Sequence, residues 1–143
     1  MAIRIGLIVL CGLGLSISLY FTMVYFKVMK PDQWFVPRVC RMEEGTCSFI
    51  IRTPDARIFG LPNFVLGLLY YTALIAVNIA SSTQAHELLY QLLSAVSVGT
   101  VLLGVYLTYS LLFKLKTNCV LCFTSHIVNA VIMILLIIQL TST

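Results

Sequence analysis

The chain has 143 residues and 15.9 kDa; 60% of its residues are hydrophobic, only 10% are charged, and the mean hydropathy is +1.02. Soluble domains carry about 25% charged residues, and a chain this short has too much surface to cover with so few. Soluble globular and disordered classes are therefore excluded, the latter because disorder needs low hydrophobicity, which leaves a small all-α integral membrane protein.

The first apolar stretch runs from Ile5 to Phe26, between Arg4 and Lys27. It opens the chain as a signal peptide would, but Tyr20-Phe21-Thr22-Met23-Val24-Tyr25 offers no small-x-small cleavage site, so a retained helix is expected. Cys11 in this span lies about 22 Å before its far end at 1.5 Å per residue, which makes it a packing residue. Gly12 and Ser16 form a small-xxx-small pair suited to seating a neighbouring helix.

Residues Lys27 to Asn63 form a loop of 37 residues, too long for a mere connector. It holds Cys40 and Cys47, the one Trp and all four prolines. Pro31-Asp32-Gln33-Trp34-Phe35 reads as a short helix start at the membrane interface, where Trp prefers to sit.

Three more apolar stretches follow: Phe64 to Ala80, Leu88 to Phe113 and Val120 to Leu140. Even the shortest spans about 26 Å as a helix, nearly a hydrocarbon core. Backbone polar groups in lipid must be bonded internally, so all four stretches are expected to be helices. The third is long enough to tilt or to project beyond the bilayer. Ser81–Glu87 and Lys114–Cys119 are short turns, and His86 falls in the first of them, in water. The expected architecture is a single domain, residues 1–143, built as a four-transmembrane-helix bundle with a long cysteine-bearing loop after the first helix.

With four spans, the 27–63 loop and the Lys114–Cys119 turn share one membrane face, so Cys40, Cys47, Cys119 and Cys122 converge at one end. That face also carries Lys27, Lys30, Arg38, Arg41, Arg52, Arg57, Lys114 and Lys116, against Arg4 on the other. The positive-inside rule places such a face in the cytoplasm, whereas disulfide chemistry belongs outside it. The expectation adopted is an inner-membrane protein with an extracytoplasmic active face, its loop cations binding lipid headgroups; the opposite orientation stays open, as in organisms with intracellular disulfides.

Cys119-Val120-Leu121-Cys122 is a C-x-x-C at a helix entrance, close enough for a disulfide, where the helix N-terminus favours thiolate at Cys119. Cys122 sits one turn deeper, so the pair can link water to something dissolved in lipid. The competing readings are half a metal site, or two buried thiols packing as small hydrophobes. Cys40 and Cys47 bracket six residues and read as a shuttle, then as a permanent loop staple, then as part of a four-thiolate zinc site, for which the spacing is too long.

Cys122, Ser125, His126 and Asn129 recur at spacings of three, four and seven, which puts a polar stripe on one helical face pointing into the bundle. His126 can donate a hydrogen bond or accept a proton, or can simply be satisfied by a neighbouring helix. Pro62-Asn63 opens the second span on the same membrane face; Asn63 either solvates the first turn or reaches inward beside Cys122. Two hydrogen-bonding side chains near an inner thiol would suit a ligand with two opposed carbonyls. Tyr70, Tyr71, Tyr90, Tyr106 and Tyr109 read as interface anchors or bundle packing before catalysis.

The arrangement resembles the vitamin K epoxide reductase family in its short bacterial and archaeal members. The resemblance rests on Cys40-Arg41-Met42-Glu43-Glu44-Gly45-Thr46-Cys47, on Phe59-Gly60-Leu61-Pro62-Asn63-Phe64-Val65-Leu66-Gly67-Leu68 and on Asn118-Cys119-Val120-Leu121-Cys122-Phe123-Thr124. It implies a bundle around a quinone of ubiquinone or menaquinone type, capped by the 27–63 loop. By resemblance, Cys122 touches the quinone ring and Cys119 is its disulfide partner; Cys47 exchanges with Cys119, and Cys40 meets the outside substrate. Asn63 matches a position that bonds a quinone carbonyl. His126 stands where animal enzymes have a tyrosine bonding the other, a departure that weakens the case for vitamin K epoxide reduction, although a His can still donate that hydrogen bond. The chain stops at Thr143, so a thioredoxin-fold partner is expected in trans. The function implied is that of a thiol:quinone oxidoreductase supporting disulfide formation, with membrane lipid as its surroundings and no nucleic-acid partner. The alternative is a non-enzymatic membrane protein with a loop staple or a cysteine zinc site.

Overall fold

The computed structural model describes residues 2–30, 50–80 and 84–142, the side chains of 84–86 excepted. Cys40, Cys47, Trp34, the expected helix start at Pro31–Phe35 and the His86 side chain lie outside the described residues. Four α-helices dominate: α1 (Ala2–Tyr25), α2 (Asn63–Ile79), α3 (Gln84–Tyr109) and α4 (Val120–Thr141). Three segments, Ala2–Tyr25, Glu87–Lys114 and Val120–Thr141, are long and apolar enough to cross a membrane, and Asn63–Ile79 is a shorter apolar helix.

The boundaries differ from expectation mainly at α3. It starts at Gln84, so Gln84–Glu87 is helix and not turn, and Glu87 lies in the first turn, where the positive end of the helix favours a carboxylate. At its other end α3 widens into a π turn over Ser110–Lys114, with Leu115 N donating to Ser110 O at 2.9 Å. Lys116, with φ of 50°, then turns the chain toward α4.

The described part of the long loop is folded. A 3₁₀ turn, Pro54–Ala56, leads into a two-residue hairpin of β1 (Arg57–Ile58) and β2 (Leu61–Pro62), paired antiparallel with Ile58 opposite Leu61. Phe59 and Gly60 at its tip have φ of 50° and 81°. Positive φ at both central residues is the signature of a type I′ turn, which matches the strand twist. The hairpin delivers the chain directly to Asn63, the first residue of α2.

Two apolar clusters build the core. In one, Leu7 and Cys11 of α1 meet Tyr71 and Leu74 of α2 and Ile132 and Leu136 of α4. In the other, Phe21 and Val24 from the end of α1 meet Phe64 at the start of α2, Leu111 after α3, Cys119 before α4, and Ile50 and Ile51 of the loop. Consecutive helices therefore alternate in direction, and the loop shares an end with Asn63 and Cys119. Cys11 belongs to the opposite half and is fully buried there, as expected of a packing residue.

The expected helix seat at Gly12 and Ser16 is overturned. Space at Gly12 is open, and the exposed Ser16 hydroxyl donates to the Gly12 carbonyl. The close approach is made instead by Gly14, against which the Tyr71 ring lies, and by Gly67, where an added Cβ would come within 2.6 Å of Ser18 Oγ. Small residues let apolar helices approach closely enough for dispersion to hold them without a hydrophobic drive between helices in lipid. The α1–α2 pair is accordingly the most extensive contact in the bundle, and α4 packs on both α1 and α3.

The tyrosines divide by position. Tyr70, Tyr71 and Tyr90 are buried in the bundle, whereas Tyr106 and Tyr109 are exposed on α3. Tyr70 Oη and Ser97 Oγ are 2.6 Å apart. Since Ser97 already donates to the Leu93 carbonyl, Tyr70 is the donor, and the bond ties α2 to α3. Tyr71 donates to Asn129 Oδ1 at 2.6 Å and ties α2 to α4.

Candidate functional site

A cavity of about 500 Å3 lies within the bundle, within the size range of small-molecule sites. Its walls are mostly apolar, with Phe21, Leu66, Leu103 and Leu107 among them, and a few polar groups are set into them. Asn63, Cys122, Ser125, His126 and Asn129 all line it. The structure thus brings together the whole polar stripe of α4 and the first residue of α2.

Each side chain reaches the cavity for a local reason. Asn63 is the first helical residue after Pro62, whose fixed φ of −60° suits a helix start. Cys122, Ser125, His126 and Asn129 share one face of α4 through the 3.6-residue period. Among the described residues, neither the Asn63 amide nor the His126 ring has a hydrogen-bond partner, whereas Asn129 is held by Tyr71. An unpaired polar group facing an apolar space is costly unless something satisfies it. The pair therefore suits a planar ligand with two separated acceptors and an apolar body.

Cys119 caps α4. Its backbone is extended at φ −122° and ψ 102°, and its Sγ accepts from the Cys122 backbone N–H at 3.4 Å. An N–H aimed at the sulfur from a helix N-terminus stabilises negative charge there. One expectation changes: Cys119 is not at the water side of the pair but 0% exposed, whereas Cys122 is half-buried and opens to the cavity with a free thiol. The reason is the cover supplied by Ile50, Ile51 and Leu111, which share its cluster. Cys40 and Cys47 lie outside the described residues.

Three contributors were not legible in the sequence. Gly104 of α3 faces His126, and an added Cβ there would sit 3.0 Å from His126 Nδ1, so the ring has its place because residue 104 lacks a side chain. Asp55 lines the cavity and accepts from Ser110 Oγ at 2.6 Å, joining the loop to the π turn. Lys114 Nζ stands 3.9 Å from the same carboxylate and donates to Tyr106 Oη at 3.2 Å. A glycine in a leucine-rich span and an acid two residues after Thr53 carry no local signal; a π turn, often found at functional sites, is visible only in the fold.

Long apolar helices around an internal cavity, with a thiol opening into it, define an integral membrane protein with a site for an apolar small molecule. The model of the vitamin K epoxide reductase family matches residues 5–137, nearly the whole chain, and the chain belongs to that family. Membership makes it a membrane oxidoreductase of a family associated with thiol–disulfide chemistry and quinones, whose members generally work with a thioredoxin-like partner.

Proposed function

We propose that the chain, as one four-span domain over residues 1–143 capped by the 27–63 loop, oxidises the thiols of a separate thioredoxin-fold protein at the expense of a membrane quinone. The observation that carries this reading is the convergence of Asn63, Cys122 and His126, from two helices, on one apolar cavity where Asn63 and His126 have no other hydrogen-bond partner among the described residues. A quinone held there by Asn63 and His126 would supply the acceptor for two electrons and two protons, giving hydroquinone.

The chain's own residues supply the rest. Cys40 receives the partner's thiolate, and the Cys40–Cys47 disulfide is reduced through a mixed disulfide. Cys47 then exchanges with Cys119, regenerating the loop disulfide and leaving Cys119 and Cys122 as thiols. Ile50 packs in the cluster that contains Cys119, and three residues of chain span at most about 11 Å, which supports Cys47 reaching that sulfur. The Cys122 N–H holds charge on Cys119 Sγ while Cys122 faces the cavity. Asn63 and His126 donate to the two acceptor oxygens, which orients the ring against Cys122 and stabilises charge as it develops there. The burial of Cys119 shields its thiolate from stray oxidants in the interval between the exchange with Cys47 and the passage of the electrons to the quinone.

The active end is assigned to the extracytoplasmic side of the inner membrane, where client proteins acquire disulfides. Cys122→Ser removes the cavity thiol and keeps its volume. Quinone-dependent oxidation of a thioredoxin-fold dithiol should fall to the uncatalysed rate, while Cys40 still forms a mixed disulfide with the partner. Unchanged oxidation by the Ser variant would overturn the reading.

A further inference from the structure

A second cavity, of about 450 Å3, lies at the loop end of the bundle and is lined by Tyr25, Phe26, Lys27, Arg52 and Arg57. Its three cations come from separate segments: the turn after α1, the loop before the 3₁₀ turn, and β1. All three are exposed, and no carboxylate among the described residues lines the space. The ion pair of this end lies elsewhere, between Asp55 and Lys114. Arg57 Nη2 donates to Tyr25 Oη at 3.3 Å, which fixes the guanidinium and leaves most of its five N–H groups for another acceptor. Three like charges around one space repel each other, and an anion between them reverses the sign of that interaction.

The surroundings say which anion. Phe26 at the end of α1, Val28 after it and Phe59 at the hairpin tip expose 62, 72 and 99% of their surface. Aromatic and aliphatic groups beside Lys and Arg at the end of a membrane helix are the composition of the membrane–water interface. Paired guanidinium groups match phosphate oxygens in geometry as well as charge. We propose that Lys27, Arg52 and Arg57, with the Tyr25 hydroxyl, form a binding site for the phosphate ester of an anionic phospholipid, whose acyl chains lie along Phe26 and the outer face of α1. The site depends on insertion in the membrane and not on the redox reading. It also accounts for the excess of cations on this face without a cytoplasmic orientation: charges neutralised by lipid headgroups act as anchors.

The test titrates the detergent-solubilised full chain with phosphatidylglycerol and with phosphatidylcholine, following lipid retention by native mass spectrometry. Interfacial Lys and Arg contribute about 1 kcal/mol each toward anionic lipid, so Arg52→Gln/Arg57→Gln should bind phosphatidylglycerol about thirty-fold more weakly, with phosphatidylcholine unaffected. Arg52→Lys/Arg57→Lys should recover part of the loss, restoring the charge without the paired guanidinium geometry. Should the double Gln variant fail to fold, Lys27→Gln alone should weaken binding about five-fold. Equal binding of phosphatidylglycerol by folded wild type and variant would overturn the proposal. So would displacement of the lipid by millimolar inorganic phosphate, which would make the site one for the free anion, or a loss confined to binding of the thioredoxin-fold partner, which would make it a protein contact.

Discussion

Replacing Gly104 by alanine is expected to slow quinone reduction about ten-fold while leaving the thiol exchanges intact. The new Cβ would lie 3.0 Å from His126 Nδ1, 3.3 Å from its Cγ and 3.5 Å from its Cβ. Unstrained contacts between such atoms begin near 3.5 Å, so the ring must retreat by about half an ångström. A misplacement of about 1 Å in a positioned group can cost about 100-fold, and half that displacement corresponds to about ten-fold. Overpacking of about 1–3 kcal/mol is partly offset by about 1 kcal/mol of helix propensity gained, so the protein should still fold. The assay is anaerobic stopped-flow absorbance of the quinone with excess reduced partner. The control is His126→Ala, alone and combined with Gly104→Ala. If Gly104 acts through the imidazole, the second substitution costs nothing once the ring is gone. A ten-fold loss that persists in the His126→Ala background would refute the reasoning, as would unchanged kinetics in the single variant.

Two further substitutions probe the frame of the site. Gly14→Ala drives a methyl into the Tyr71 ring and should destabilise the bundle by about 1–3 kcal/mol, read as a lower midpoint of thermal or denaturant unfolding in detergent; Gly12→Ala, in open space, should not lower it. Asp55→Ala removes the acceptor of the Ser110 hydroxyl and should cost about 1.5–3 kcal/mol, since the bond is charge-assisted and Ser110 is buried. The same substitution should loosen Ile50–Ala56 from α3, read as faster proteolysis of the loop. Loss of the exposed Lys114 contact alone should change stability little.

Sequence periodicity carried the α4 face: Cys122, Ser125, His126 and Asn129 sit at helical spacing, and all four line the cavity. Hydrophobic runs likewise located the helices to within a few residues, because a membrane helix leaves little freedom in where its apolar stretch can lie. Rotation of a helix about its axis is a different kind of information. Gly12–Ser16 and Gly14–Ser18 are the same pattern two residues apart, and the Tyr71 ring and Gly67, presented by another helix, decide which pair is used. The exposure of Cys119 differs from expectation for a similar reason. Cys122 does lie one turn further into α4 and lines the cavity, but Cys119, expected to meet water, is covered by Ile50 and Ile51. Asp55 gains its role only in the fold, where the π turn brings Ser110 beside it. In each case the deciding atoms belong to a segment distant in sequence.

The central claim is that two electrons held as thiols at Cys119 and Cys122 pass to a quinone in the cavity. The most direct measurement mixes fully reduced, detergent-solubilised protein anaerobically with limiting quinone and, after alkylation of remaining thiols, maps the disulfides by mass spectrometry in a variant carrying Cys40→Ser and Cys47→Ser. One Cys119–Cys122 disulfide should form for each hydroquinone produced. Oxidised quinone remaining beside two alkylated thiols at Cys119 and Cys122 would contradict the account.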